Sequence, residues 1–198
     1  TFILTSTGNQ GCVEVTDEMT VTFTPAPTVD AGQNFAVCAG SPQSQLTGSY
    51  TVASNAQWSG GAGSFSPNAL DMNAIYHPTQ AELDAGSVTL TLTTIGNGNC
   101  LAESDSVTIT FDPVPTVNAG PNLVSCANDP NVELQGTFTH ASGVKWSGGT
   151  GFFNPSNEDP NATYTPSAAE IINGSVTLTL TTVGSGQCAD VTDNVTIT

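Results

Sequence analysis

Sliding the chain by 88 residues lays it on itself without a gap. The nine residues Gly86 to Thr94, Gly-Ser-Val-Thr-Leu-Thr-Leu-Thr-Thr, return unchanged from Gly174 to Thr182. Cys12, Cys100 and Cys188 fall in register, as do Cys38 with Cys126 and Trp58 with Trp146. A chain built this way folds as successive copies of one unit, each burying a core of its own. The register divides it into residues 1–26, the end of a preceding copy; 27–114, a complete copy; and 115–198, a second copy whose last strand is truncated.

Inside the repeated nonapeptide, Val88, Leu90 and Leu92 alternate with Thr89, Thr91 and Thr93. A period of two with β-branched residues predicts a strand with one face in a core and one in water. Gly96-Asn-Gly-Asn99 then predicts a tight turn, and Val107, Ile109 and Phe111 a return strand, making a hairpin. Earlier in each copy, Leu46, Gly48 and Tyr50 predict a second core strand. Trp58 and Trp146 lie on a third, with Leu90, Leu92, Leu178 and Leu180 as their expected core neighbours. The helical signals are short, at Thr79 to Ala85 and Ser167 to Asn173, each with a glutamate and each stopped by a glycine. About seven short strands with a tryptophan on the third predict an all-β fold of tandem immunoglobulin-like sandwiches. Prolines two apart at Pro25-Ala-Pro27 and Pro113-Val-Pro115 predict short, stiff junctions between copies.

Charge narrows the partners. Lys145 is the only Lys or Arg against 17 Asp and Glu, which disfavours nucleic acid and anionic membrane surfaces. The acids are spread along the copies, and only 9% of residues are charged, so Thr, Ser, Asn and Gln must keep the surface wet. The sequence contains no apolar stretch of membrane-spanning length and no basic, apolar leader at Thr1.

Five cysteines in an acidic chain point to an oxidising compartment. Simple periodicity would pair Cys38 with Cys100 and Cys126 with Cys188. In a sandwich, however, a whole strand of about 30 Å separates those positions, well past the roughly 7 Å Cα separation a disulfide tolerates. Copies stacked head to tail would instead bring Cys188 to Cys38, and the two pairings and free thiols stand as alternatives. His77 and His140 have no counterpart in the other copy, and no catalytic, phosphate-binding or zinc motif is present. Calcium is the one cofactor considered, through oxygens of Glu103, Asp105 and Asp193, against the plainer role of solvated carboxylates.

Together, Pro-Thr-Val-Asp/Asn-Ala-Gly, a cysteine, Trp-Ser-Gly-Gly, the nonapeptide and Gly-x-Gly-x-Cys resemble the tandem PKD-like, immunoglobulin-like repeats of giant Bacteroidetes cell-surface adhesins of the gliding-motility type. That resemblance implies type IX secretion, an extracellular filament on the bacterial surface, outer-membrane gliding machinery as a partner, and anchorage through regions outside residues 1–198. Asp105-Ser106-Val107 also resembles an O-glycosylation motif of that phylum, which would make Ser106 an attachment site; Asp193-Asn194 breaks the motif in the next copy. The sequence thus predicts a non-enzymatic structural and adhesive segment, whose partners are neighbouring repeats and surface polysaccharide or substratum. The alternative is a carbohydrate-binding or spacer module of a secreted polysaccharide-degrading enzyme, which would need solvent-facing aromatics.

Overall fold

The computed structural model describes residues 1–8 and 10–198. The chain is almost entirely β, with two helices of six residues each, α1 (Gln80–Ala85) and α2 (Ala168–Asn173). Two separate cores form. One gathers residues from Ala31 to Phe111 around Trp58 and Tyr76, and the other gathers residues from Ala119 to Ile197 around Trp146 and Tyr164.

In the first repeat a four-stranded sheet runs in the order Phe35–Cys38, Ser104–Asp112, Ser87–Ile95, Asn55–Ser59. The alternation of the nonapeptide sets this sheet's inner face. Leu90 and Leu92 are fully buried and Leu92 lies directly opposite Trp58, while Thr89 faces out and bonds Thr108 across the hairpin. The inward register ends on a polar residue: Thr94 is buried, and its hydroxyl accepts the Glu103 amide at 2.9 Å. Thr182 does the same for Val191, so the last threonine of the repeated stretch closes the mouth of the hairpin.

The opposite layer is made of shorter pieces. Ser44–Gln45, Ile75–His77 and Ser64–Ser66 form one sheet, and Thr28–Asp30 pairs with Ser49–Thr51 in another. The second repeat reproduces both layers, with Leu180 opposite Trp146.

One sequence expectation fails here. Leu46, Gly48 and Tyr50 are not one core strand, because the chain leaves one sheet at Gln45 and joins another at Ser49. Between them the Leu46 and Gly48 amides donate to the carbonyls of Ala74 and Met72, outside any ladder. Gly48 is required at this crossing, since a Cβ there would lie 2.7 Å from Leu92 and 2.8 Å from Trp58. The same switch divides the opening strand into Thr28–Asp30 and Phe35–Cys38, so Trp58 lies on the fifth strand segment of its repeat, not the third.

Residues 1–26 carry a third hairpin, Phe2–Thr5 with Thr16–Met19, in the register of the other two. Leu4 opposes Asp17 as Leu92 opposes Asp105 and Leu180 opposes Asp193. Phe2, Leu4 and Met19, whose counterparts Leu90, Leu92 and Val107 are buried, are exposed here: Leu4 is 76% accessible where Leu92 is 0%.

Candidate functional site

The chemistry of this chain is concentrated where the two repeats meet. Strand Phe35–Cys38 runs parallel to the last strand of the first repeat, which sets Asp112 opposite Cys38. Asp112 is then followed directly by the Pro113-Val114-Pro115 linker. From the far side the hairpin turn Gly184-Ser-Gly-Gln-Cys188 of the second repeat reaches the same point. Cys38 and Cys188 are joined by a disulfide, with Cα atoms 4.7 Å apart and 150 residues between them in sequence. Cys12, Cys100 and Cys126 are free thiols, so neither periodic pair, Cys38 with Cys100 or Cys126 with Cys188, exists in the structure.

Polar contacts hold the turn against the linker. The Asp112 carboxylate accepts the Gln187 amide at 2.8 Å, and its carbonyl accepts the Ala39 amide at 2.8 Å. Cys188 Sγ lies 3.5 Å from the Asp112 carbonyl and 3.6 Å from that of Pro113. Gly186 adopts φ +64° beside this carboxylate, where any side chain would be both strained and obstructed. His140 adds a contact particular to this junction: its Nδ1–H donates to the Val114 carbonyl at 3.2 Å. On the other side, Val114 packs against Gly40.

The residues considered as calcium ligands are not brought together. Asp105 accepts the Ala31 amide and Asp193 the Ala119 amide, each at 2.8 Å. Those backbone hydrogen bonds hold both carboxyls below their ordinary pKa. The two aspartates therefore pin the opening segment of their own repeat to its final hairpin, in different copies. Among the described residues no group of three or more His, Cys, Asp or Glu could hold a metal ion. Ser106 is exposed on the outer face of its strand.

A second repeated constellation escaped the sequence reading. Glu82 closes the capping box of α1, accepting the Thr79 amide at 2.7 Å, and with its other oxygen accepts the Ala62 amide and the Tyr76 hydroxyl, each at 2.7 Å. Tyr76 in turn accepts the Gly63 amide at 2.8 Å. Glu170, Tyr164, Thr150 and Gly151 repeat the arrangement. Burial works against the charge on Glu82 and Glu170, but these donors outweigh it and both pKa values fall. Burial, reinforced by the neighbouring glutamate, raises both tyrosines to about 12. The sequence signal was the Thr/Ser-x-x-Glu spacing, Thr79 to Glu82 and Ser167 to Glu170.

Comparison with known proteins gives fold alone. No family model and no curated protein sequence matches the chain. Among solved structures it resembles Sidekick-1 immunoglobulin domains 1–4 at TM-score 0.53 and 13% identity, over 98% of this chain and 57% of that one. A five-domain Sidekick-1 structure gives TM-score 0.52 at 10% identity, over 98% and 45% respectively. Titin domains I67–I69 give TM-score 0.50 at 12% identity, over 86% and 64%. The chain spans about half the length of the structures it matches. Its fold is thus a tandem of immunoglobulin-like β-sandwiches.

Proposed function

We propose that this chain is a structural and adhesive repeat segment of a large secreted bacterial cell-surface adhesin filament of the gliding-motility type. The observation that carries the reading is the cystine between Cys38 of one repeat and Cys188 of the next. A covalent lock across a proline linker suits a rod that transmits load, and cystines persist in oxidising, extracellular surroundings. The hydroxyl-rich, acid-biased surface supports the same setting, since it stays hydrated without basic residues. Within the described residues no helix is long and apolar enough to cross a membrane. In this reading the partners are the flanking repeats, the surface polysaccharide or substratum that the rod touches, and the gliding and type IX secretion machinery that the sequence resemblance implies.

The accessory-module alternative depended on outward-facing aromatics. Trp58, Trp146, Tyr76 and Tyr164 are all at most 1% exposed and offer no face to a sugar ring. Immunogold labelling of intact source cells with an antibody to residues 27–198 tests the proposal. Filaments projecting from the outer surface are expected, whereas label only on a released polysaccharide hydrolase would favour the alternative.

A further inference from the structure

Each repeat carries one further cysteine, Cys100 in the first and Cys126 in the second, at the positions that the bonded Cys188 and Cys38 hold in the other repeat. In the first repeat the last strand continues to Phe111, which is 4% exposed in the core and whose amide donates to the Gly86 carbonyl. Phe111 and Asp112 lie parallel to Val37 and Cys38. In the second repeat Leu123 bridges Ile197 in the parallel register that Phe35 has with Ile109, and the Ser125 amide donates to the Thr198 carbonyl. Next to Thr198 a cleft of about 140 Å³ is lined by Ala127, Pro130, Ile171, Gly174, Val176 and Ile197. These are the counterparts, 88 residues on, of Ala39, Pro42, Leu83, Gly86, Val88 and Ile109. Beside the cleft is Cys126, an exposed thiol at the position Cys38 holds in the first repeat.

At the other end of the first repeat, Cys100 Sγ lies 3.7 Å from the Pro25 carbonyl. That contact reproduces the one Cys188 makes with Pro113 at 3.6 Å. Cys100 therefore already occupies the approach that carries the bonded cysteine at the next junction.

We propose that Cys126 accepts a second inter-repeat disulfide from the Gly-x-Gly-x-Cys turn of a following copy of this repeat, and that Cys100 is the donor half of the equivalent bond to a preceding copy. The proposal rests on reading the chain as a tandem repeat segment. Each bond forms when two thiols become one cystine. Their two electrons and two protons pass to a disulfide oxidant, small or protein-borne, which leaves as two thiols by thiol–disulfide exchange.

Because each cystine spans 150 residues and successive loops overlap, the ladder shortens the covalent path. That path enters at Cys100 and leaves at Cys126, only 26 residues later, for every two repeats traversed. Fully extended, that segment reaches about 90 Å. An array closed this way lengthens little even when its sandwiches unfold under load.

The test extends the intact chain at Thr198 with a second copy of residues 111–198, which continues the repeat in register. After air oxidation with a glutathione couple and non-reducing digestion, a peptide joining Cys126 to the added copy of Cys188 is expected. Alkylation without reductant should still find three free thiols, the number in the original chain. Five free thiols in a folded product, or a bond from Cys126 to Cys100, would overturn the proposal. A doubly cross-linked product from a chain absent from the cell surface would support the ladder while sinking only the functional reading.

Discussion

Trp58 and Trp146 occupy matched positions with unequal hydrogen bonding. Trp146 donates its indole N–H to the Pro160 carbonyl at 3.3 Å. Trp58 Nε1 is buried without a partner, and Met72 stands where the other copy has Pro160. A buried unsatisfied donor costs about 1 to 3 kcal/mol. Both tryptophans fill the same volume, so Phe substitution removes similar apolar contact at each. Trp146→Phe should therefore cost about 1 kcal/mol more than Trp58→Phe, since the first loses a bond and the second removes an orphan. Urea unfolding of the two variants, followed at constant pH, checks the order; equal losses would show that the indole N–H is irrelevant in both sites.

The hairpins and capped helices are held by groups whose roles are separable. Thr94→Val keeps shape and burial but leaves the Glu103 amide without its acceptor at the hairpin mouth. A loss of about 1 to 3 kcal/mol is expected in chemical denaturation, against almost none for Val at outward-facing Thr89. The capping glutamates make stability depend on pH. Their folded pKa values lie below the ordinary 4.5, so their contribution is complete above that value and is lost as pH falls through the folded pKa. Tyr76 and Tyr164, raised to about 12, act in the opposite sense: their contribution is complete below pH 10 and is lost as pH rises toward 12. Denaturation midpoints should be flat from about pH 5 to 9 and fall on both sides, with Glu82→Gln plus Glu170→Gln reducing the acid limb. The hairpins were legible in the sequence because alternation is kept in both of the longer copies and the 88-residue register carries it to residues 1–26. The sheet switch at Leu46 to Gly48 was not, because a period of two looks the same whether one strand or two carry it.

At the scale of the whole chain the dominant constraint is the cystine between repeats. Closing a loop of 150 residues removes chain entropy worth up to about 5 kcal/mol from the unfolded state. Reduction, or Cys38→Ser, should lower the stability of both repeats together, because the loop contains most of each core. Calorimetry with and without reductant measures this, and a fall confined to the second repeat would contradict shared stabilisation. Of the junction itself, the cysteines and the proline spacing could be read in the chain. Asp112 against the Gln187 amide could not, since the partners are 75 residues apart and only the docking of two folded units brings them together.

The sequence by itself determined the unit: its 88-residue length, its hairpin register and its aromatic core follow from local alternation and repetition. Short-range periodicity suffices there, because each strand's buried face is set by its own residues. Only the tertiary structure decided what the acids and cysteines do. Asp105 and Asp193 are spent on backbone amides of their own repeats, and Cys38 meets Cys188 of the next repeat. Those pairings depend on which ends of two sandwiches face each other, and no periodicity along one chain encodes that distance.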